Sequence, residues 1–189
     1  MTKNFFSKYK FLKIIIVLIA IGLGLSGQVK LPLKNTPDQM IQPSPSEFNI
    51  VLKVVDGDTI DVELSGKKEA VRLVGIDTPE VVDPRKSVQC FGKEASAKAK
   101  EILSGKRVRL EQDPTQGNRD KYGRLLRFVF LEDGTNFNKL MIDQGFAHEY
   151  TYQSNPYKYQ KEFIEAEKLA RENKKGLWAD GVCENNVKN

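Results

Sequence analysis

The sequence predicts an α+β domain built on a closed sheet of five strands, with three helices. Three observations carry that expectation. Five short segments have the β-branched, apolar content of strands, and three have the spacing of helices. They run in the order three strands, helix, two strands, two helices. The composition, 40% hydrophobic and 29% charged over 189 residues, is globular, and it excludes whole-chain disorder, a collagen-like repeat and a multi-span membrane protein.

Residues 49–55 and 59–64 are β-branched runs on either side of Asp56-Gly57-Asp58, a hairpin-type turn signal. The segment 69–76 (EAVRLVGI) reads as a third strand, and 108–111 and 125–131 (LLRFVFL) complete the five. A helix is expected over 93–103 (KEASAKAKEIL), rich in Ala, Lys and Glu. Two more are expected over 138–144 and 159–173, the last ending at Gly176.

The formal net charge is +5, but Lys3, Lys8, Lys10 and Lys13 fall in residues 1–27, which hold no acid. The rest of the chain therefore carries a net charge of only +1, which by itself makes no case for a polyanion partner. Those lysines precede an apolar run, 14–25 (IIIVLIAIGLGL), which is shorter than the roughly 20 residues of a membrane-spanning helix and has the length of a signal-peptide core. Residues 1–27 are read as a signal peptide or N-terminal anchor, and export follows. The protein is expected either secreted or anchored at the outer face of the cytoplasmic membrane, with membrane contact only through 14–25 if the signal is uncleaved. Residues 28–48 hold four of the eight prolines and read as a linker, followed by a domain over 49–180 and a tail over 181–189.

Four segments concentrate unusual polar residues: Asp56-Gly57-Asp58-Thr59; Arg72 with Asp77-Thr78-Pro79-Glu80; Asp120-Lys121-Tyr122-Gly123-Arg124; and Tyr150-Thr151-Tyr152. Taken singly, each has a plain explanation as a turn, a cap, a surface charge or a packed ring. In this order and spacing, with the loop 80–92, the helix start Glu94-Ala95-Ser96-Ala97 and the ending Gly176-Leu177-Trp178, they resemble the staphylococcal nuclease family. The resemblance runs from about residue 49 to 180. It implies a five-stranded OB-type barrel and a calcium-dependent phosphodiesterase that cuts DNA and RNA, leaving 3′-phosphate ends. The chain is expected to act as a monomer.

By that resemblance Arg72 and Arg124 are the charge-stabilising guanidiniums, with Arg124 also assisting the leaving oxygen. The residue type suits the task, because a guanidinium makes paired hydrogen bonds to phosphate and stays charged at any working pH. Asp58, Asp77 and the Thr78 carbonyl are the implied calcium ligands, a hard-oxygen set unlike a zinc site. Glu80 would accept a proton from the attacking water or hold it in line. Asp56 is expected beside the ligands rather than among them. Lys86, Lys121, Tyr122, Tyr150 and Tyr152 match substrate-binding positions, where aromatic faces stack on any base; packing against the barrel is the other reading of Tyr122 and Tyr152.

His148 is the one histidine, lies outside every motif, and is expected at the surface. A mechanism needing two imidazoles is excluded, and with two cysteines so is a His-Cys zinc site. Val81 and Val82 make the loop start more apolar than the family pattern, and Cys90 and Cys183 are additions to it. An even pair in an exported chain predicts a disulfide between them. The competing reading is a noncatalytic OB-type module binding nucleic acid or protein. Such modules lose the arginines or carboxylates, all of which are present here.

Overall fold

A computed structural model describes residues 47–79, 81 and 89–183. They belong to the second of the two units into which the chain divides, Gln42–Asn189. The expected export signal, most of the Pro-rich linker, Glu80, Lys86 and most of the tail lie outside the described residues.

Five strands close a barrel in the order β1-β2-β3-β6-β5. Strand β1 (Phe48–Val54) turns Val51 and Val54 inward and bulges between Val51 and Lys53 against β2 (Thr59–Leu64). The bulge increases local twist, which a small barrel needs to close. Strand β2 pairs antiparallel with β3 (Lys67–Leu73) across a turn at Ser65 and Gly66, both of positive φ. The apolar segment expected as one strand over 69–76 breaks at Val74-Gly75. Beyond the break, Ile76–Asp77 (β4) pairs with a second two-residue strand, His148–Glu149 (β7), that no periodicity foretold.

The break has a steric cause. Gly75 has φ +79°, and a Cβ there would lie 2.7 Å from the Tyr157 ring. Its carbonyl accepts the Tyr150 N–H at 3.0 Å, which ties the 150–152 segment to the end of β3. Only glycine allows both the turn and the approach.

Helix α1 (Gly92–Leu103) buries Ala95, Ala99 and Leu103, so its alanines serve close packing as well as propensity. Strand β5 (Arg107–Glu111) pairs antiparallel with both β1 and β6 (Leu125–Phe130), and β6 runs parallel to β3. Helix α2 (Phe137–Asp143) starts at Asn136, whose side chain accepts the Lys139 N–H. Helix α3 (Gln160–Glu172) buries Phe163, Ala166 and Ala170. The core joins the barrel interior (Val62, Val71, Leu73) to the helices through Phe128, Phe137, Ile142 and Phe163. Among the described residues no helix is long and apolar enough to cross a membrane.

Cys90 and Cys183 are disulfide-bonded, with Cα atoms 5.7 Å apart, as expected. The bridge joins the approach to α1 to the segment beyond the turn Gly176–Trp178.

Candidate active site

Strand pairing brings the charged motifs together. Thr59 faces Arg72 across β2 and β3, and Arg72 faces Leu126 across β3 and β6. Residues distant in sequence thus meet at one end of the barrel, beside a cleft of about 590 Å³.

Asp58 is buried, yet its carboxylate is well satisfied. Oδ1 accepts from the Thr59 hydroxyl at 3.0 Å, and Oδ2 from the Thr78 N–H and hydroxyl at 3.0 and 3.1 Å. Gly57 makes this closure possible, since a Cβ there would meet Thr78 Cγ2 at 2.6 Å. Asp56 accepts the Asp58 N–H at 3.1 Å and does not line the cleft. Burial and the neighbouring Asp58 charge push the Asp56 carboxyl up to about 6.

Arg72 is fixed at both ends of its guanidinium. Nη1 donates to the carbonyls of Leu73 and Ile76 at 2.7 and 2.8 Å. Nη2 lies 3.3 Å from Asp58 Oδ2 and 3.0 Å from Asp77 Oδ1. The β3 break therefore presents the carbonyls that orient this side chain.

Arg124 is held differently. Its Nε donates to Asp120 Oδ2 at 2.7 Å, while Asp120 Oδ1 accepts the N–H groups of Tyr122 and Arg124. Burial would raise the Asp120 carboxyl, but the Arg124 guanidinium and these N–H groups outweigh it and hold the group below its ordinary range. Arg124 Nη1 reaches the Thr59 hydroxyl at 3.4 Å. Thr59 thus links the Asp58 carboxylate to Arg124.

Arg72, Asp77, Lys121, Tyr122, Arg124, Tyr150 and Tyr152 all line the cleft, while Asp58 and Thr78 are buried behind Arg72. Tyr122, Tyr150 and Tyr152 are 71%, 44% and 54% exposed, so they are not barrel-packing residues. The Tyr150 and Tyr152 rings lie 6.5 Å apart, and Arg124 and Lys121 both approach the Tyr122 ring. The expected residues Glu80 and Lys86 lie outside the described residues.

Asp58, Asp77 and the Thr78 carbonyl offer a hard divalent cation oxygen donors alone, and the Asp56–Asp58 pair adds surplus negative charge. The donor set fits calcium. Among the described residues no three His, Cys, Asp or Glu side chains converge.

His148 keeps a partly exposed side chain, in line with its expected place at the surface, and also packs. Its backbone pairs with Asp77, its Nδ1 lies 3.3 Å from Glu167 Oε1, and its ring meets Trp178 edge-on at 4.9 Å. It is a half-buried packing residue because β7 draws it toward α3. The cleft also includes residues that the motifs do not contain: Gln116, Arg119, Leu126, Gln153, Asn155 and Tyr157. Of these, only the Asn and Gly content of 116–119 hinted at a functional loop.

A five-stranded barrel with Arg72, Arg124 and Asp77 in one cleft and Asp58 buried beside it suits a phosphodiester hydrolase of the nuclease class. Residues 70–180 match the family described as staphylococcal nuclease homologue. The chain is 42% identical over 130 residues to a thermonuclease of Staphylococcus hyicus, covering 69% of this chain and 75% of that one. It is 42% identical over 132 residues to a thermonuclease of Staphylococcus intermedius, covering 70% and 76%. It is also 38% identical over 133 residues to endonuclease YncB of Bacillus subtilis (strain 168), covering 69% and 62%. The chain belongs to the staphylococcal nuclease family.

Proposed function

We propose that this protein is an exported, calcium-dependent endonuclease that hydrolyses DNA and RNA to 3′-phosphate products. The observation that carries the reading is the meeting of Arg72, Arg124 and Asp77 at one cleft, with Asp58 buried against Arg72. Water attack on a phosphodiester adds negative charge to a group already anionic, and stabilising that charge is the main catalytic task. Arg72 and Arg124 stabilise it from rigid mounts, so little reorganisation accompanies the reaction. Arg124 also assists the departing oxygen. Glu80, three residues beyond Asp77, takes the proton of the attacking water. Asp58, Asp77 and the Thr78 carbonyl would hold calcium, whose positive charge would add to the stabilisation of the phosphate.

The exposed tyrosine faces suit stacking on bases of any sequence and either sugar, with Lys121 and Lys86 for the backbone phosphates. Export is supported by the basic residues 2–13 followed by the apolar 14–25, and by the disulfide, which an oxidising compartment permits. Digestion of single-stranded DNA and of RNA by the purified protein, with calcium and then with chelator, tests the reading. Cleavage is expected in calcium alone; no cleavage would leave the noncatalytic module, and persistent activity in chelator would remove the metal role. Arg72→Ala and Arg124→Ala should each lower kcat by about 10²–10³, the usual loss of a transition-state stabiliser. A fully active Arg124→Ala would overturn the assignment.

A further inference from the structure

The cleft lining includes amide side chains from two segments. Gln116, with Gly117, belongs to one side, and Gln153 and Asn155 to the other. The two sides are stitched together. Gln116 Nε2 donates to the carbonyls of Asn155 and Pro156, Asn155 Nδ2 donates to the Thr115 carbonyl at 2.9 Å, and the Thr115 hydroxyl donates to the Pro156 carbonyl at 2.9 Å. The first side is braced in turn by Arg127, whose Nη2 donates to Asn118 Oδ1 at 2.6 Å.

Within this well-anchored wall two consecutive residues, Gln153 and Ser154, adopt left-handed backbone conformations with φ of 48° and 58°. Neither is glycine, so the conformation costs free energy and persists because the surrounding bonds impose it. Strain held in a rigid turn at the rim of a site is where a functional side chain is to be sought. Here it places on the cleft the Gln153 carboxamide, which makes no hydrogen bond among the described residues. Gln153 directly follows Tyr152 and so adjoins the aromatic faces suited to stacking.

Stacking and an amide do different things. A ring face accepts every base alike. A carboxamide offers one acceptor and two donors to the edge of a base, and the strength of that contact differs from base to base. We propose that the amide-lined part of the cleft is a base-reading subsite and that Gln153 is its specificity-determining residue. The proposal rests on the nuclease reading and adds to it a base contact separate from the phosphate chemistry.

The test uses the sixteen dinucleoside phosphates, each with one scissile bond, and bis(4-nitrophenyl) phosphate as a base-free diester. For the native enzyme kcat/KM should vary with the base at one of the two positions by roughly 2–10-fold, the worth of one net hydrogen bond. Gln153→Gly tolerates the left-handed backbone and removes the side chain with its amide. It should collapse that spread to within about 2-fold while hydrolysing the base-free diester at the native rate. Gln153→Asn, which also tolerates the left-handed region and restores an amide, should recover a base-dependent spread. An unchanged ranking in an active Gln153→Gly, no spread in the native enzyme, or an equal loss on the base-free diester would each overturn the subsite. No cleavage of any substrate by the native enzyme would overturn the nuclease reading, and the subsite with it.

Discussion

Asp120 shows how a single residue can fix both a turn and a guanidinium at the cleft. One of its oxygens fixes the turn through two backbone N–H groups, and the other holds Arg124 Nε. Asp120→Asn keeps the acceptor for the turn but removes the charge. It should lower kcat by roughly tenfold or more, the weight of a charge-assisted hydrogen bond, with KM little changed. An unaltered kcat would assign Asp120 to the turn alone. The native tether should be complete above the ordinary carboxylate range and fail as pH falls through the depressed Asp120 pKa, so Asp120→Asn should also flatten any acid-side loss that this group causes. At this scale the sequence was most legible where chemistry restricts the residue type. Asp58, Asp77, Arg72 and Arg124 are charged groups that phosphate chemistry requires, and all four meet. Gln153 and Tyr157 could not be read, because their place in the cleft depends on a left-handed turn and on the contact with Gly75.

At the scale of elements, strands and helices were legible from period and composition, while breaks and short pairings were not. The run through 69–76 keeps its apolar character across Val74-Gly75, so only the glycine itself signalled the break. The two-residue strands β4 and β7 are too short to show alternation. The end of β3 is secured by Asn138, a fully buried residue at the start of α2. Its Nδ2 donates to the Val74 carbonyl at 2.8 Å, and its Oδ1 accepts the Val129 N–H at 3.0 Å. Asn138 therefore joins helix α2 to both parallel strands at the point where β3 ends. Asn138→Ala should cost about 1–3 kcal/mol for each backbone group left unpaired, measured by denaturant unfolding. A smaller change would mean that other groups satisfy those two positions.

At the scale of the whole molecule, the catalytic end is assembled by closure of the barrel, whereas the disulfide acts at the approach to α1 and the C-terminal segment. Neither cysteine lines the catalytic cleft. Cys90→Ser should therefore lower stability by about 2–4 kcal/mol through the longer reach of its unfolded chain. It should leave kcat at low temperature nearly unchanged. Comparison of melting curves and initial rates for the two forms checks this, and a lost rate with an unchanged melt would reverse the assignment. The pairing was legible because two cysteines allow one intrachain bond.

The same bond bears on survival among proteases. It spans 93 positions, from Cys90 to Cys183, and the span contains Arg124, the cleft tyrosines and exposed turns such as Asp133-Gly134. A protease nick at such a turn leaves two fragments that are still one covalent molecule, able to stay docked through the barrel pairing and the core. Nicked protein should run as a single band without reductant and as two with it. Damage that would release half of an unbridged chain becomes, for this one, a wound that does not separate.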